Sequence, residues 1–238
     1  MIVTVASNRK QVGKTTIAVN NAAIRALAGR SVYLIDIDPN KSSYHWTLKR
    51  QSSNVQPPIP ACSISGKYLK DTFDKVSSNY NDVVIDTDWR DSKGSQMALE
   101  VSDMVIVPVE PGPGSLACLK KMAKRIHAAR VNNPALWAIV VLVRARGALP
   151  IAEFDAIRNF VGKESSMALA GTVIRDDKSL QNAFDDGLAV FEYKNADRKS
   201  VVEMYDLYRA QRRKSTALPS LSRVQKHLGK GVSCGEFI

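Results

Sequence analysis

Cysteine is scarce in this chain: three in 238 residues, at Cys62, Cys118 and Cys234, with no C-x-x-C spacing. That scatter excludes a disulfide framework, a zinc knuckle and a thiolate-held iron–sulfur cluster, and it points to a reducing compartment. No apolar run approaches the length of about 18 residues that a membrane span requires. The chain opens on a β-branched run, not on a charged segment followed by an apolar one, so no secretion signal is expected. Internal repeats and low-complexity tracts are absent. Acid is also in short supply, with 23 Asp and Glu against 34 Lys and Arg, a formal net charge of +11. Such an excess suits a polyanionic partner, nucleic acid or acidic membrane; the plain alternative is a protein that is merely basic and soluble. A hydrophobic content of 45% over this length suffices for one sizeable core, and nothing demands two domains.

The most informative stretch lies near the start. Ile2 to Ala6 reads as a short strand and Ile17 to Ala28 as an Ala-rich helix. Between them lies Ser7-Asn8-Arg9-Lys10-Gln11-Val12-Gly13-Lys14-Thr15-Thr16. Gly13-Lys14-Thr15 in that strand–loop–helix setting is the tail of a phosphate-binding loop. Backbone N–H groups curl round a phosphate, the helix N-terminus adds partial positive charge, Lys14 reaches the β/γ-phosphates and the Thr15 hydroxyl binds Mg²⁺. The general pattern G-x-x-x-x-G-K-[ST] wants glycine where Asn8 stands, and a bare G-K-T also arises in ordinary βα turns with a surface lysine.

Two later segments favour the phosphate site. Val32 to Pro39 is an apolar run ending Asp36-Ile37-Asp38, which sends two carboxylates off one face of a strand. Asp82 to Asp88 is a second such strand ending in acid at Asp86. Carboxylates delivered to one end of a parallel sheet, beside a phosphate loop, make a site for Mg²⁺ and its waters.

These three motifs, in this order, resemble those of the ParA/MinD group of deviant Walker-type ATPases, most of all its small ParF-type plasmid-partition members. That group's loop reads K-G-G-x-G-K-T-T, and the register here gives Arg9-Lys10-Gln11-Val12-Gly13-Lys14-Thr15-Thr16. Its D-x-D-P motif matches Asp36 to Pro39, and its D-T motif matches Asp86-Thr87. The likeness continues through Val101 to Val109 and returns at Gly171 to Arg175 and Ala183 to Glu192. The resemblance implies ATP and Mg²⁺ as ligands, with nucleotide contacts at Lys10, Gln11, Val12, Gly13, Lys14, Thr15 and Thr16, and metal contacts at Thr15, Asp36 and Asp86. It implies Lys14, Asp38 and Arg9 as catalytic residues. Asp38 would orient or activate the attacking water, and Arg9, in the place of the group's signature lysine, would bridge to a partner's nucleotide. Lys10 and Gln11 replace two glycines in a loop that approaches phosphate closely, which implies slow hydrolysis. It further implies an ATP-dependent homodimer, non-specific DNA binding, a centromere-binding adaptor, a cytoplasmic, nucleoid-associated location and a role in plasmid or chromosome partition. A nucleotide-binding structural protein with little hydrolysis, a MinD-like membrane positioner and a metabolic P-loop kinase or synthetase stand as the alternatives.

The rest of the chain alternates strand and helix. The expected fold is therefore α/β: a single-domain P-loop NTPase fold over residues 1–214, with a mostly parallel central sheet and helices on both faces. Lys41 to Arg50 is expected to be a helix, with Trp46 packed and His45 at the surface. A strand is expected over Ala61 to Ile64 and a helix over Lys67 to Ser78. Trp89 to Ser95 reads either as a switch-like loop or as the cap of the next helix through Ser92. A helix from about Leu116 to Arg130 carries Lys120, Lys121, Lys124 and Arg125 on a basic face. Arg144 and Arg146 end the strand Ala138 to Val143, at the sheet edge where open α/β sheets bind ligands, so Arg144 joins the candidate pocket. Ile174 and Arg175 join it by resemblance, where relatives seat the nucleotide base. A final helix is expected from Asp197 to about Lys214, ending in Arg209, Arg212, Arg213 and Lys214 as candidate DNA contacts. From Arg209 onward seven basic residues oppose one acid, Glu236, so this segment holds +6 of the +11. Residues 215–238 read as a basic, flexible tail.

Overall fold

The computed structural model describes residues 1–144 and 151–211. Among them seven strands form one sheet: β1 (Ile2–Val5), β2 (Val32–Asp36), β3 (Ala61–Ser63), β4 (Asp82–Asp86), β5 (Met104–Val109), β6 (Trp137–Val143) and β7 (Met167–Ile174). Their order is β3-β2-β4-β1-β5-β6-β7, and every neighbouring pair is parallel. The sequence suggests a mostly parallel sheet; the described one is parallel throughout. The strands read as continuous apolar runs because both faces are covered. On one face lie α1 (Lys14–Leu27), α2 (Ser42–Ser52), α7 (Lys178–Asp185) and α8 (Arg198–Ala210). Their apolar residues pack with Val3, Val5, Leu34, Ile106 and Val141. On the other face, α5 (Ser115–Asn132) and α6 (Ile151–Val161) pack on Val105, Val107 and Val140, and α3 (Leu69–Ser77) and α4 (Lys93–Glu100) cover Ile35, Val83 and Ile85.

Several elements differ in detail from expectation. The helix expected over Lys67 to Ser78 is split into a single 3₁₀ turn at Gly66–Tyr68 followed by α3. That turn meets the first turn of α4 through two glycines. A Cβ on Gly66 would stand 2.6 Å from the Gly94 Cα, and one on Gly94 would stand 2.4 Å from the Gly66 Cα. Only glycine permits that approach. The helix expected to reach Lys214 ends at Ala210 within the described residues. Arg146, Arg212, Arg213, Lys214 and the tail 215–238 lie outside them. Trp46 is buried at 2% exposure and donates from Nε1 to the Leu188 carbonyl at 3.1 Å, while His45 is exposed.

Two buried ionic clusters hold the layers together. At the amino ends of the strands, Asp82 pairs with Arg25 at 3.2 Å, with Arg30, and with the Met1 amine at 3.1 Å. Arg25 also reaches Asn21 and, across the fold, Gln211 Oε1 at 2.8 Å. On the α2 side, the Arg50 guanidinium forks onto Glu192 at 2.7 and 2.8 Å and lies over the Trp46 ring. Both arginines are almost wholly buried, so each requires its acid: an unpaired buried charge is expensive.

Candidate nucleotide site

The chain crosses the sheet so that β1 lies between β4 and β5, with β2 beyond β4. The carboxyl ends of these strands meet at one place. Val5 pairs with Asp86, and Asp86 with Asp36. The Thr87 hydroxyl donates to the Val5 carbonyl at 2.9 Å, and the Ala6 N–H to Ile106 at 3.0 Å, so loops leave the sheet from fixed points. Above them residues 6–13 turn back into α1. Gly13 has φ 74°, a left-handed conformation that glycine adopts without strain, and α1 starts at the next residue with no acid in its first turn. The positive end of the helix is therefore left to an outside anion. Gln11 also has positive φ, 56°, where a side chain is disfavoured. The resemblance places a glycine there, and the backbone keeps a glycine's conformation without one.

Lys14 is 7% exposed, and its ammonium donates to the Arg9 carbonyl at 3.3 Å, across the mouth of its own loop. Burial lowers its pKa, and the charges of Asp86, Asp38 and Asp88 act against that. Asp36 and Asp86 are adjacent but differently engaged. Asp36 accepts from the Ser43 hydroxyl at 2.7 Å and from the backbone N–H groups of Tyr44 and Asp38 at 3.0 and 2.9 Å, which fixes the start of α2. Asp86 is fully buried, and neither of its carboxylate oxygens completes a hydrogen bond. Burial first and the Asp36 charge second push its carboxyl up to about 8, against the pull of the Thr15 hydroxyl and Lys14. Burial also raises Asp36 and Asp88. An orphaned carboxylate behind a phosphate-type loop suits a hydrated divalent cation, which satisfies the oxygens and favours the charged form. Asp38 lies just beyond β2, partly exposed, with Oδ1 accepting from the Asn40 N–H at 2.9 Å.

The other expected residues fall around this centre. Val12 is buried. Arg9 donates to the Glu110 carbonyl at 3.3 Å and lies 3.8 Å from its carboxylate. Lys10 is exposed and holds its ammonium 4.6 Å from the centre of the Trp89 ring. On the far side of the loop, Gly13, Thr16, Arg144, Ile174 and Arg175 line one cavity of about 70 Å³ together with Asp177 and Gln181. Arg144 has φ 52°, and its N–H donates to the Ile174 carbonyl at 2.7 Å; Arg175 is held by Glu203 and Asp197. Residues distant in sequence thus converge beside Gly13 and Thr16. Arg209 is exposed on the last turn of α8, with its guanidinium 6.0 Å from the Tyr205 ring centre.

The segment 89–95 does cap a helix. Ser92 Oγ accepts from the Ser95 N–H, and Ser95 Oγ from the Ser92 N–H, a reciprocal capping box at the start of α4. Arg125 departs from the basic face read in the sequence: at 6% exposure it turns inward, bonding Ser95 Oγ at 2.7 Å and approaching Asp91 at 3.0 Å and Asn8 at 3.5 Å. The sequence reading assigns no role to Ser43 or Glu110, and it places Trp89 in a switch-like or capping segment without a partner. Each touches a candidate residue only through tertiary contact, and no local spacing marks it.

Residues 3–190 match the family described as the CobQ/CobB/MinD/ParA nucleotide binding domain. Among curated proteins, the chain is 26% identical over 195 residues to the maintenance of carboxysome distribution protein A of Halothiobacillus neapolitanus, covering 81% of this chain and 87% of that one. Among solved structures, apo McdA from Cyanothece superposes with a TM-score of 0.68 at 14% identity, over 86% of this chain and 98% of that one. A putative plasmid partition protein from Borrelia burgdorferi B31, solved with AMPPNP, superposes with a TM-score of 0.66 at 16% identity, over 87% and 96%. The loop, the paired strand-end acids and a family match over most of its length establish that this chain belongs to the CobQ/CobB/MinD/ParA nucleotide-binding family.

Proposed function

We propose that the protein is an ATP- and Mg²⁺-dependent dimerising switch that acts in the partition or positioning of a cargo on DNA. The observation that carries this reading is Asp86: a fully buried carboxylate whose oxygens complete no hydrogen bond, with the Thr15 hydroxyl close by, next to Asp36 and in the field of Lys14. Thr15, Asp86 and Asp36 would hold Mg²⁺, which would neutralise charge on the β- and γ-phosphates. The chain's own residues do the rest. Lys14 exchanges the Arg9 carbonyl for phosphate oxygens. The N–H groups from Lys10 to Thr16 cradle the phosphates, and the Arg144, Ile174 and Arg175 cavity takes the base. Asp38 positions water from the rim of the site. Arg9 swings from Glu110 to the nucleotide of a second copy.

Hydrolysis is slow in this reading, because Asp38 is engaged by the Asn40 N–H and Gln11 stiffens a loop that glycine would leave supple. Arg209 and the basic residues after it give non-specific DNA binding in the nucleotide-bound dimer, which places the protein on the nucleoid in the cytoplasm, and an adaptor protein stimulates turnover. The curated relative's name concerns carboxysome distribution and the Borrelia structure's concerns plasmid partition, so the two point to different cargoes carried by one kind of switch. No described helix is long and apolar enough to cross a membrane. Sedimentation with ATP, ADP or no nucleotide, in the presence of plasmid DNA or anionic vesicles, tests the whole reading. ATP-dependent co-sedimentation with DNA is the expected result; co-sedimentation with vesicles, or an inert monomer throughout, refutes it.

A further inference from the structure

On the face opposite α1, a groove of about 640 Å³ opens between the loop after β4 and the outer side of α5. Trp89 and Arg90 form one wall, Lys121 and Lys124 the other, and Gln96 and Arg125 lie between them. Four of these side chains carry positive charge, and the one acid lining the groove is Asp91. Arg125 is 6% exposed, yet its Nε completes no hydrogen bond, although Asp91 approaches it to 3.0 Å. Asp91 itself is 65% exposed, so it is a loose plug on a buried cation. A buried guanidinium with an unspent donor, inside a cationic trough, is a site built for an anion.

We propose that this groove docks an acidic segment of a partner protein, whose carboxylate takes over from Asp91 on Arg125 while Lys121 and Lys124 hold its flanking acids. Asp91 already displays the recognised chemistry, a carboxylate on a buried arginine. The shape favours a peptide over duplex DNA: a trough between a loop and a helix admits an extended chain, whereas a rigid rod of phosphates needs an open cationic stripe. The Trp89 ring is approached by the cations of Lys10 at 4.6 Å and Arg90 at 5.7 Å, which compete with a stacking base for it. The docked segment communicates with the nucleotide site. Arg125 bonds Ser95, which caps α4, and reaches Asn8 of the phosphate loop, while Lys10 of that loop rests on Trp89. Displacing Asp91 therefore acts on both loops at once. The inference rests on the switch reading only for this consequence; the groove binds its segment whether or not ATP is hydrolysed.

The test uses a fluorescein-labelled dodecapeptide of alternating glutamate and leucine, followed by anisotropy at low salt. The parent protein is compared with the Lys121→Glu/Lys124→Glu variant and with a charge-matched control, Lys163→Glu/Lys194→Glu, whose sites are exposed and do not line the groove. The expected result is at least a tenfold loss of peptide affinity in the groove variant and near-parental affinity in the control. Equal losses in the two variants, or no binding by the parent, overturn the proposal. A 20-base-pair duplex is titrated in parallel, and loss of DNA affinity with peptide affinity retained overturns it in favour of a nucleic-acid surface. Titration with a fluorescent ATP analogue separates the two readings. A parent that fails to bind the analogue refutes the ATP assignment, and the peptide comparison still decides the groove.

Discussion

Lys14 and Asp86 are opposite charges that burial has weakened in opposite directions. The lysine loses proton affinity and the carboxyl gains it, and a bound nucleotide with its cation would reverse both. The site is thus set up electrostatically before any ligand arrives. Replacing Lys14 with alanine removes the charge that faces the phosphates. Charged hydrogen bonds of this kind contribute about 1.5–3 kcal/mol, so calorimetry should show ATP affinity reduced tenfold or more. Asp38 is different: it lies partly exposed at the rim, its carboxylate accepts from the Asn40 N–H, and it acts on Lys14 through its charge. Asp38→Ala should keep ATP affinity within a few-fold of the parent while phosphate release, followed by a coupled assay, falls to background. A variant that loses ATP binding, or turns over at the parental rate, removes Asp38 from the hydrolytic step.

Elements in this fold are anchored to one another by a few buried polar contacts placed among apolar layers. α2 is the clearest case. Its start is fixed by Asp36 through Ser43 and Tyr44, and its end by Arg50 on Glu192, which also accepts the Ala189 N–H. Gly187 fits here only as glycine, since a Cβ would lie 2.6 Å from the Arg50 N atom. Because α2 follows directly from Asp36 and Asp38, its seating also sets the position of those acids. Arg50→Ala leaves Glu192 buried without its cation, a loss that costs about 3–5 kcal/mol when one partner of a buried pair is removed. Urea titration followed by far-ultraviolet circular dichroism should show a midpoint shifted down by a corresponding amount. An unchanged midpoint would mean that the pair is solvated in solution.

Across the molecule the sheet separates two kinds of chemistry. The carboxyl ends of the strands gather the acids of the candidate nucleotide site, and the amino ends bury a structural cluster around Asp82. Burial alone would raise the Asp82 carboxyl, but the Arg30 hydrogen bonds, the Arg25 charge and the Met1 amine outweigh it and hold the carboxyl below its usual range. A group lowered in this way stabilises the fold above its unfolded pKa of about 4 and loses that contribution as pH falls through the folded value. The melting temperature of the parent should therefore exceed that of Asp82→Asn at neutral pH, and the gap should close as pH drops below about 4. A gap that persists in acid would show that the carboxylate charge is not what stabilises. In the proposed function, charge at the opposite end of the chain would meet DNA. Each phosphate contact adds close to one unit of slope to log K against log salt, and the proposed dimer would present two patches together. Changing Arg209, Arg212, Arg213 and Lys214 to alanine should remove most DNA binding in a filter or anisotropy assay and flatten the salt slope, with ATP binding intact. Parental DNA affinity in that variant would leave these four residues as solvated surface.

The sequence by itself determined the order of elements and the centre of the site. Apolar runs buried on both faces must be strands of a covered parallel sheet, and Gly13-Lys14-Thr15 between strand and helix can be read from local spacing alone. The strand-end acids were legible for the same reason: a carboxylate just after an apolar run has to emerge where the strand does. Tertiary structure decided what each residue faces. Asp36 and Asp86 look alike in sequence, but α2 folds over the first and satisfies it, while neither oxygen of the second completes a hydrogen bond. Arg125 has the spacing of a solvated lysine face, yet the loop after β4 closes over it and turns it into a buried anchor. The gathering of Arg144, Ile174 and Arg175 beside Gly13, the contact of Lys10 with Trp89 and the glycine-to-glycine approach at Gly66 and Gly94 join segments far apart in the chain. Local periodicity describes one segment at a time, and only the packing of the sheet and its two helical layers brings such segments within reach.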